Sequence, residues 1–402
     1  MNNVKSDFPI LDKKIRDKTI TYLDSAASTQ KPKQVIHSIS EFLENSYENV
    51  HRGMNSLSID ATDLYEKSRD VAKSFINANS TNEIIFTRGA TDSINIIANS
   101  LAEHLNKGDK IVVTELEHHS NYLPWMHLCK KLELELKIIP ISKEGILSED
   151  EIINNCDDTT KVLSITHMSN VTGQILDIKK IKQEINKDIY VAVDGCQSIA
   201  HLNIDVKDLD CDFYSFSSHK LYGPSGIGIM FGKEDILNQL NPPTLGGGMI
   251  NEVSSNDFSY AMLPNKFEPG TPSIEAAIGF KAAMEYLNNI NYQDYFSKEK
   301  KLRSTLISAL NDFEEIEIYG SNKNGNATSI VSFNIKNQNF NDIATFLDQY
   351  GIMIRGGHHC CQPFMKKLGI PGSCRVSFGI YNDINDIDHF VDSMKKTLKL
   401  LQ

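Results

Sequence analysis

The chain lacks the features that would send it to a membrane or to nucleic acid. No apolar run reaches the ~18 residues needed to span a bilayer. No basic block stands out among 41 basic and 52 acidic residues, and the net charge is -11. Nucleic-acid and membrane-surface roles therefore have no electrostatic support. The opening residues, MNNVKSDFPILDKKIRDK, hold no apolar stretch of the kind found in a secretory signal. Seven cysteines are scattered along the chain except for the adjacent Cys360 and Cys361, and no C-x-x-C pair occurs. That pattern argues against a disulfide framework and makes a reducing cytoplasm the expected setting. Internal repeats and low-complexity tracts are also missing.

What remains is an ordinary globular composition, 40% hydrophobic and 23% charged over 402 residues. This length suits two domains, or one large domain with an appendage. From about residue 82 to 231 short apolar runs alternate with amphipathic segments. Strands are predicted over Glu83–Thr87, Lys110–Thr114, Leu134–Pro140, Lys161–Thr166, Tyr190–Asp194 and Cys211–Phe216. Helical patterns such as Ala90–Asn106 and Asn121–Leu132 fall between them. Such alternation predicts an α/β fold, a mostly parallel sheet with helices on both faces. The stretch Asn241–Pro272, rich in Gly, Pro and Asn, reads as loops and is followed by a helical pattern over Ser273–Leu287. The last third, with predicted strands Thr328–Ile335, Ile352–Ile354 and Cys374–Phe378, reads as a second, smaller α+β domain. A substrate cleft is expected between the two.

The chemistry-bearing residues fall where open α/β sheets bind ligands, at the C-terminal ends of strands. In YVAVDGCQ an apolar strand ends at Asp194, which alone reads as a turn or cap residue. The next strand delivers Ser217, Ser218, His219 and Lys220 ahead of a Gly/Pro-rich turn. Desolvation among small and apolar neighbours makes a lysine amine nucleophilic. Lys220 alone is an ordinary lysine; paired with Asp194 and Ser217 it is more. An amine for an aldehyde, a carboxylate for a ring nitrogen and a hydroxyl for a phosphate are what pyridoxal phosphate requires. The phosphate would also find the start of a helix in TRGATDSIN, where Gly89 permits close backbone approach and Ala90 and Thr91 open the helix. His118, in TELEHHSN, could stack on a flat ring and move protons. EHH lacks the i, i+4 histidine spacing of a helical zinc site, which disfavours a metal.

Ten motifs in order carry a resemblance over about residues 18 to 395: TYLDSAAST, NVHRG, TRGATDSIN, TELEHHSNYLPW, THMSNVTG, VDGCQS, SFSSHKLYGPSGIG, FEPGTPS, IRGGHHC and CRVSFGIYN. Together they resemble the fold-type I pyridoxal-phosphate enzymes of the class V aminotransferase group, and within it the SufS-type cysteine desulfurases. The resemblance implies a large domain over 20–285 with a mostly parallel seven-stranded sheet. A small domain would comprise 1–19 and 286–402. It implies that Lys220 bonds the cofactor aldehyde, Asp194 pairs with its ring nitrogen, His118 stacks on the ring and Gln197 reaches its phenolic oxygen. Ala90, Thr91, Ser217 and His219 would serve the phosphate, with Thr271 reaching the phosphate of the other subunit of a homodimer. Asn170, Arg375 and Arg355 would hold the carboxylate of L-cysteine, since guanidinium binds carboxylate bidentately.

The segment GIMIRGGHHCCQP sets a desulfurase apart from relatives on the same fold, such as aminotransferases and kynureninase-like enzymes. Gly356 and Gly357 lead to His358, His359 and Cys360, and nearby cationic groups would lower the thiol pKa of Cys360. Cys360 is thus the expected nucleophile that takes sulfur from L-cysteine as a persulfide and releases L-alanine, for iron–sulfur cluster or other sulfur-cofactor assembly. Cys129, Cys156, Cys196, Cys211 and Cys374 read as inert packing. Cys361 stands where the resemblance has alanine and is read as a bystander. A sulfur-acceptor protein of the SufE or SufU kind is the expected partner. Selenocysteine lyase is the nearest alternative, and a catalytically inactive sulfur-transfer scaffold is an alternative of another class.

Overall fold

The computed structural model describes residues 4–320 and 326–401. Its centre is a seven-stranded sheet: β1 (Ile84–Thr87), β2 (Lys110–Thr114), β3 (Glu135–Ile139), β4 (Thr160–Thr166), β5 (Tyr190–Asp194), β6 (Phe213–Ser217) and β7 (Gly228–Gly232). The spatial order is β1-β7-β6-β5-β4-β2-β3. Only β7 runs antiparallel to its neighbours. This is the mostly parallel, seven-stranded architecture of the fold-type I enzymes. Strands buried on both faces must be apolar on both, and alternate residues pack in opposite directions. Ile111 and Val113 join Ile97 and Trp125 in one core, while Val112 joins Leu163, Tyr65 and Phe280 in the other.

The helix predicted to run to Asn106 is α1 (Ala90–Leu101), closed by a 3-10 turn at Ala102–His104. Helix α2 (His119–Leu132) starts two residues before its predicted start. Apolar runs do not mark the seventh strand, because glycines bound GIMFG on both sides and imitate a turn. Within the stretch read as loops, Ile250–Val253 pairs with Phe258–Tyr260 as a hairpin. Its residues are mostly exposed, so no alternation of apolar and polar positions marks them.

Helix α3 (Ile274–Asn288) leads to α4 (Tyr292–Asn311) and a second sheet. That sheet is fully antiparallel, in the order β8 (Ile316–Tyr319), β9 (Ile330–Ile335), β11 (Ser373–Ser377), β10 (Arg355–Gly357). Its own core gathers Leu306, Phe333, Phe390 and Met394. The N-terminal chain ties the units together: Thr21–Tyr22 pairs in parallel with Ile352–Met353, and Asp24 bridges to Ser377.

One close approach fixes the sheet edge on which the site is built. A Cβ at Gly228 of β7 would lie 2.6 Å from Gly89 Cα and 2.6 Å from the Phe216 carbonyl oxygen. Both obstacles are backbone, so they cannot swing aside. Gly228→Ala is expected to destabilise the fold by about 2 kcal/mol, as overpacking does, and to displace Gly89. Urea denaturation checks this, and an unchanged midpoint would refute it.

Candidate active site

Parallel strands deliver their C-terminal ends to one edge, and the side chains there converge. β5 ends in Asp194 and β6 in Ser217; His118 follows β2 by four residues and Asn170 follows β4 by four. With Ala90, Thr91, His219, Lys220, Arg355, Cys360 and Arg375 they line one cavity of about 210 Å³. Asp194 is buried and its Oδ1 accepts from the Cys196 N–H at 2.9 Å. Lys220 sits half-buried at the end of a 3-10 turn, Ser218–Lys220.

Gly89 caps α1 with φ of 144°, in the region that favours glycine. The Ala90 N–H donates to Ser217 Oγ at 2.8 Å, so the start of α1 and the end of β6 form one polar surface. His118 caps α2: its Nδ1 accepts from the Ser120 N–H at 3.1 Å, which leaves the proton on Nε2. Burial, with the Lys220 charge second, pushes its pKa down to about 3, so the ring is neutral at working pH. Behind it Glu117 is wholly buried and accepts from Thr114 Oγ1, Asn121 Nδ2 and the Thr166 N–H. Burial raises that carboxyl to about 8, and its three bonds clamp β2 to β4 beside His118.

The other wall comes from the small sheet. Arg375 on β11 and Arg355 on β10 are register partners, an arrangement that is unfavourable for like charges unless an anion lies between them. Arg375 is 2% exposed, donating to the Asn170 carbonyl at 2.9 Å and to Asp24 Oδ1 at 3.0 Å. Its Nε–H is buried without a partner.

The loop after β10 is tightly held. The Cys360 carbonyl accepts from the His119 N–H at 2.7 Å, and the His359 carbonyl accepts from Asn170 Nδ2 at 2.7 Å. The Cys360 N–H donates to His358 Nδ1 at 3.2 Å. His359 and Cys360 both have positive φ, 51° and 54°, unusual for residues with a Cβ. This sharp turn separates the two thiols. Cys360 lines the cavity, whereas Cys361 is wholly buried with Sγ 3.6 Å from the Glu115 carbonyl and its pKa raised by burial.

Two expected residues lie apart from this cavity. Gln197 is buried with Nε2 donating to the Ala26 carbonyl at 2.9 Å. Thr271 lines separate openings with residues such as His51, Arg52 and Gly248. The cavity also takes in Ala26, Ala27, Ser120, His359 and Cys196. Cys196, expected to be inert packing, is thus a cavity residue as well, and burial pushes its thiol up to about 12. Asp24, the carboxylate beside Arg375, lies in the motif TYLDSAAST, but nothing local showed that it would meet a strand 351 residues later.

A family model for class-V aminotransferases matches residues 21–390, and the chain belongs to that family. It is 43% identical over 396 residues to a probable cysteine desulfurase of Staphylococcus epidermidis, covering 98% of this chain and 96% of that one. A probable cysteine desulfurase of Staphylococcus aureus is 42% identical over 399 residues, 99% of this chain and 96% of its own. Among solved structures, the cysteine desulfurase CsdA from Escherichia coli superposes with a TM-score of 0.90 at 33% identity, covering 98% of both chains. The cysteine desulfurase of Thermococcus onnurineus NA1 superposes at 0.94 and 35% identity, over 98% of this chain and 97% of the other.

Four imidazoles are held neutral in the fold. Burial is the main cause of pKa values near 3 for His118, 4 for His167, 4 for His219 and 2 for His359. Unfolding releases them to about 6.5, so between about pH 4 and 6.5 the unfolded chain binds more protons and stability rises with pH. Glu117, raised to about 8, acts with the opposite sign but is one group against four, so stability from urea denaturation is expected to fall as pH drops from 6.5 to 5. A flat profile from pH 7 to 5 would contradict this.

Proposed function

We propose that this chain, a pyridoxal-phosphate-dependent cysteine desulfurase, moves the sulfur of L-cysteine to Cys360 and releases L-alanine. One sulfur atom leaves the substrate Cβ and joins the Cys360 sulfur as a persulfide, so L-cysteine and a thiol become L-alanine and a persulfide. A single observation carries the reading: Lys220, Asp194, Arg375 and Cys360 line the same cavity.

The residues fit the cofactor by their chemistry. Lys220 would supply the amine for its aldehyde, Asp194 the carboxylate for its ring nitrogen, and Thr91, Ser217 and His219 donors for its phosphate at the start of α1. Ala90 would contribute through the bond from its N–H to Ser217. Gln197, whose Nε2 donates to the Ala26 carbonyl, would reach the phenolic oxygen of the cofactor. When bound, pyridoxal phosphate draws electrons from the substrate Cα into its ring.

The chain's own groups do the rest. Arg375 offers its unpartnered Nε–H, with Asn170 and Arg355, to the substrate carboxylate, and so fixes which substrate bond faces Lys220. The Lys220 amine takes the Cα proton. His118, neutral and carrying its proton on Nε2, would handle protons in the reaction. Cys360, at the mouth of its turn, attacks the substrate sulfur; Cys361 points away and is a bystander.

The wider reading follows from the same features. A large unit over 20–285 would carry the cofactor, and a small unit of 1–19 and 286–402 the Cys360 loop; α3 ends at Asn288 and α4 begins at Tyr292. Exposed Met54, Leu57 and Met262 support a homodimer in which Thr271 reaches the partner's phosphate. An open groove of about 810 Å³, lined by His119, Leu123, Gln362 and Pro363, adjoins the loop. It supports docking of an acceptor protein of the SufE or SufU kind that passes sulfur toward iron–sulfur assembly. All seven cysteines are free, and no helix among the described residues is long and apolar enough to cross a membrane; a cytoplasmic setting accords with both.

Lys220→Ala is expected to lose both the cofactor's visible absorbance and alanine formation. Cys360→Ala is expected to keep the absorbance and lose at least about 100-fold in alanine formation, the scale on which an enzyme nucleophile acts. Peptide mass mapping after L-cysteine should find the added sulfur on Cys360. Full activity of Cys360→Ala with an acceptor present would overturn the assignment.

A further inference from the structure

The proposed reaction assigns no task to His359, which lines the cavity, yet its ring is held with care. It is 4% exposed, and Nε2 lies 3.0 Å from the Ser373 carbonyl oxygen and 3.1 Å from Ser373 Oγ. A carbonyl only accepts, so Nε2 carries the proton and a neutral ring leaves Nδ1 as a bare acceptor. That Nδ1 is buried and has no partner. Burial, together with the Arg375 and Arg355 charges, keeps the ring neutral. Since a buried acceptor without a partner is destabilising, something that enters the cavity should complete it.

The same cavity holds the opposite orphan, the buried Arg375 Nε–H. One unfilled donor and one unfilled acceptor describe the ligand: an anion on one side and a hydrogen-bond donor on the other. In L-cysteine the carboxylate suits the donor. Its α-amine is committed to the cofactor, so the thiol S–H is the donor that remains. His359 immediately precedes Cys360, which must reach that same sulfur.

We propose that His359 is a specificity-determining residue whose Nδ1 accepts the hydrogen bond of the substrate thiol. The bond holds the substrate sulfur at the Cys360 end of the cavity as a neutral thiol. It also sets the choice between the two chalcogens. A thiol keeps its proton at neutral pH, whereas a selenol is more acidic, ionises and has no proton to give. A selenolate gains nothing from the Nδ1 lone pair and is repelled by it. The inference rests on the desulfurase reading above, and its test is separate from that of Cys360.

His359→Leu is expected to lower kcat/KM for L-cysteine roughly five- to ten-fold, what a single neutral hydrogen bond is worth. The loss should lie mainly in KM. kcat/KM for L-selenocysteine should stay within about two-fold, and the rate of Cys360 alkylation without substrate should not change. His359→Gln, whose amide retains a donor for Ser373 and an acceptor for the thiol, should recover most of the loss. An equal fall on both substrates, or none on cysteine, overturns the proposal. Binding gives a second measure that does not need His359→Leu to fold. Followed by cofactor absorbance, the Cys360→Ala protein should bind L-cysteine about five-fold more tightly than L-2-aminobutyrate, in which a methyl replaces the thiol. Equal binding also overturns it. Failure of the desulfurase reading would show instead as activity that persists in Cys360→Ala.

Discussion

A buried arginine organises this site. Arg375 has almost no contact with water, faces another guanidinium across a strand pair, and is met by one carboxylate, Asp24, and one backbone carbonyl, Asn170. Burying a cation is strongly unfavourable unless it is paired and hydrogen-bonded. Asp24 only partly meets that need, because burial raises its own pKa while Arg375 opposes the rise. The Nε–H that stays unmatched is therefore a standing demand for a second anion. The N-terminal segment, β11 and the turn after β4 all exist in their present places around that demand. The N-terminal segment and the turn after β4 each supply one partner to the guanidinium that β11 carries.

The polar wall opposite Arg375 works by the reverse principle. His118 and His219 are held neutral by burial, so they donate and accept hydrogen bonds without adding charge to a cavity that already holds Lys220 and two arginines. A cavity with every basic group charged would repel the α-amine of an amino acid. Keeping the imidazoles neutral keeps further positive charge out of the cavity. The clamp at Glu117 serves the same end, since it locks β2 to β4 and so fixes the start of the helix that His118 caps.

The turn at His359 and Cys360 turns chain geometry into selectivity between two adjacent thiols. Two successive residues at positive φ reverse the direction in which side chains leave the backbone. Cys360 opens onto the cavity and Cys361 sinks against the Glu115 carbonyl. Nothing intrinsic to cysteine distinguishes the pair. Burial raises the pKa of one, and the fold leaves the other lining the cavity.

Much of this was legible from residue order because period-2 and period-3.6 patterns are local. Buried strands such as KIVVT and YVAVD announce themselves, and a polar residue at the end of such a strand points into the ligand-binding edge of any parallel sheet. Asp194, Ser217, Lys220 and His118 could be picked out on that ground, and motif order supplied Asn170, Arg375 and Cys360. β7 has no such local mark since its bounding glycines mimic a turn, nor has the Ile250–Tyr260 hairpin, whose residues are mostly exposed. The chain by itself determined which side chains are available and which strand ends carry them, for those depend on neighbours in sequence. Tertiary structure alone decided that Asp24 meets Arg375 across most of the chain, that Cys360 and not Cys361 faces the cavity, and that His359 Nδ1 is left without a partner. Each of these depends on packing between segments far apart in sequence, where burial and hydrogen-bond geometry are set by contacts that no local pattern encodes.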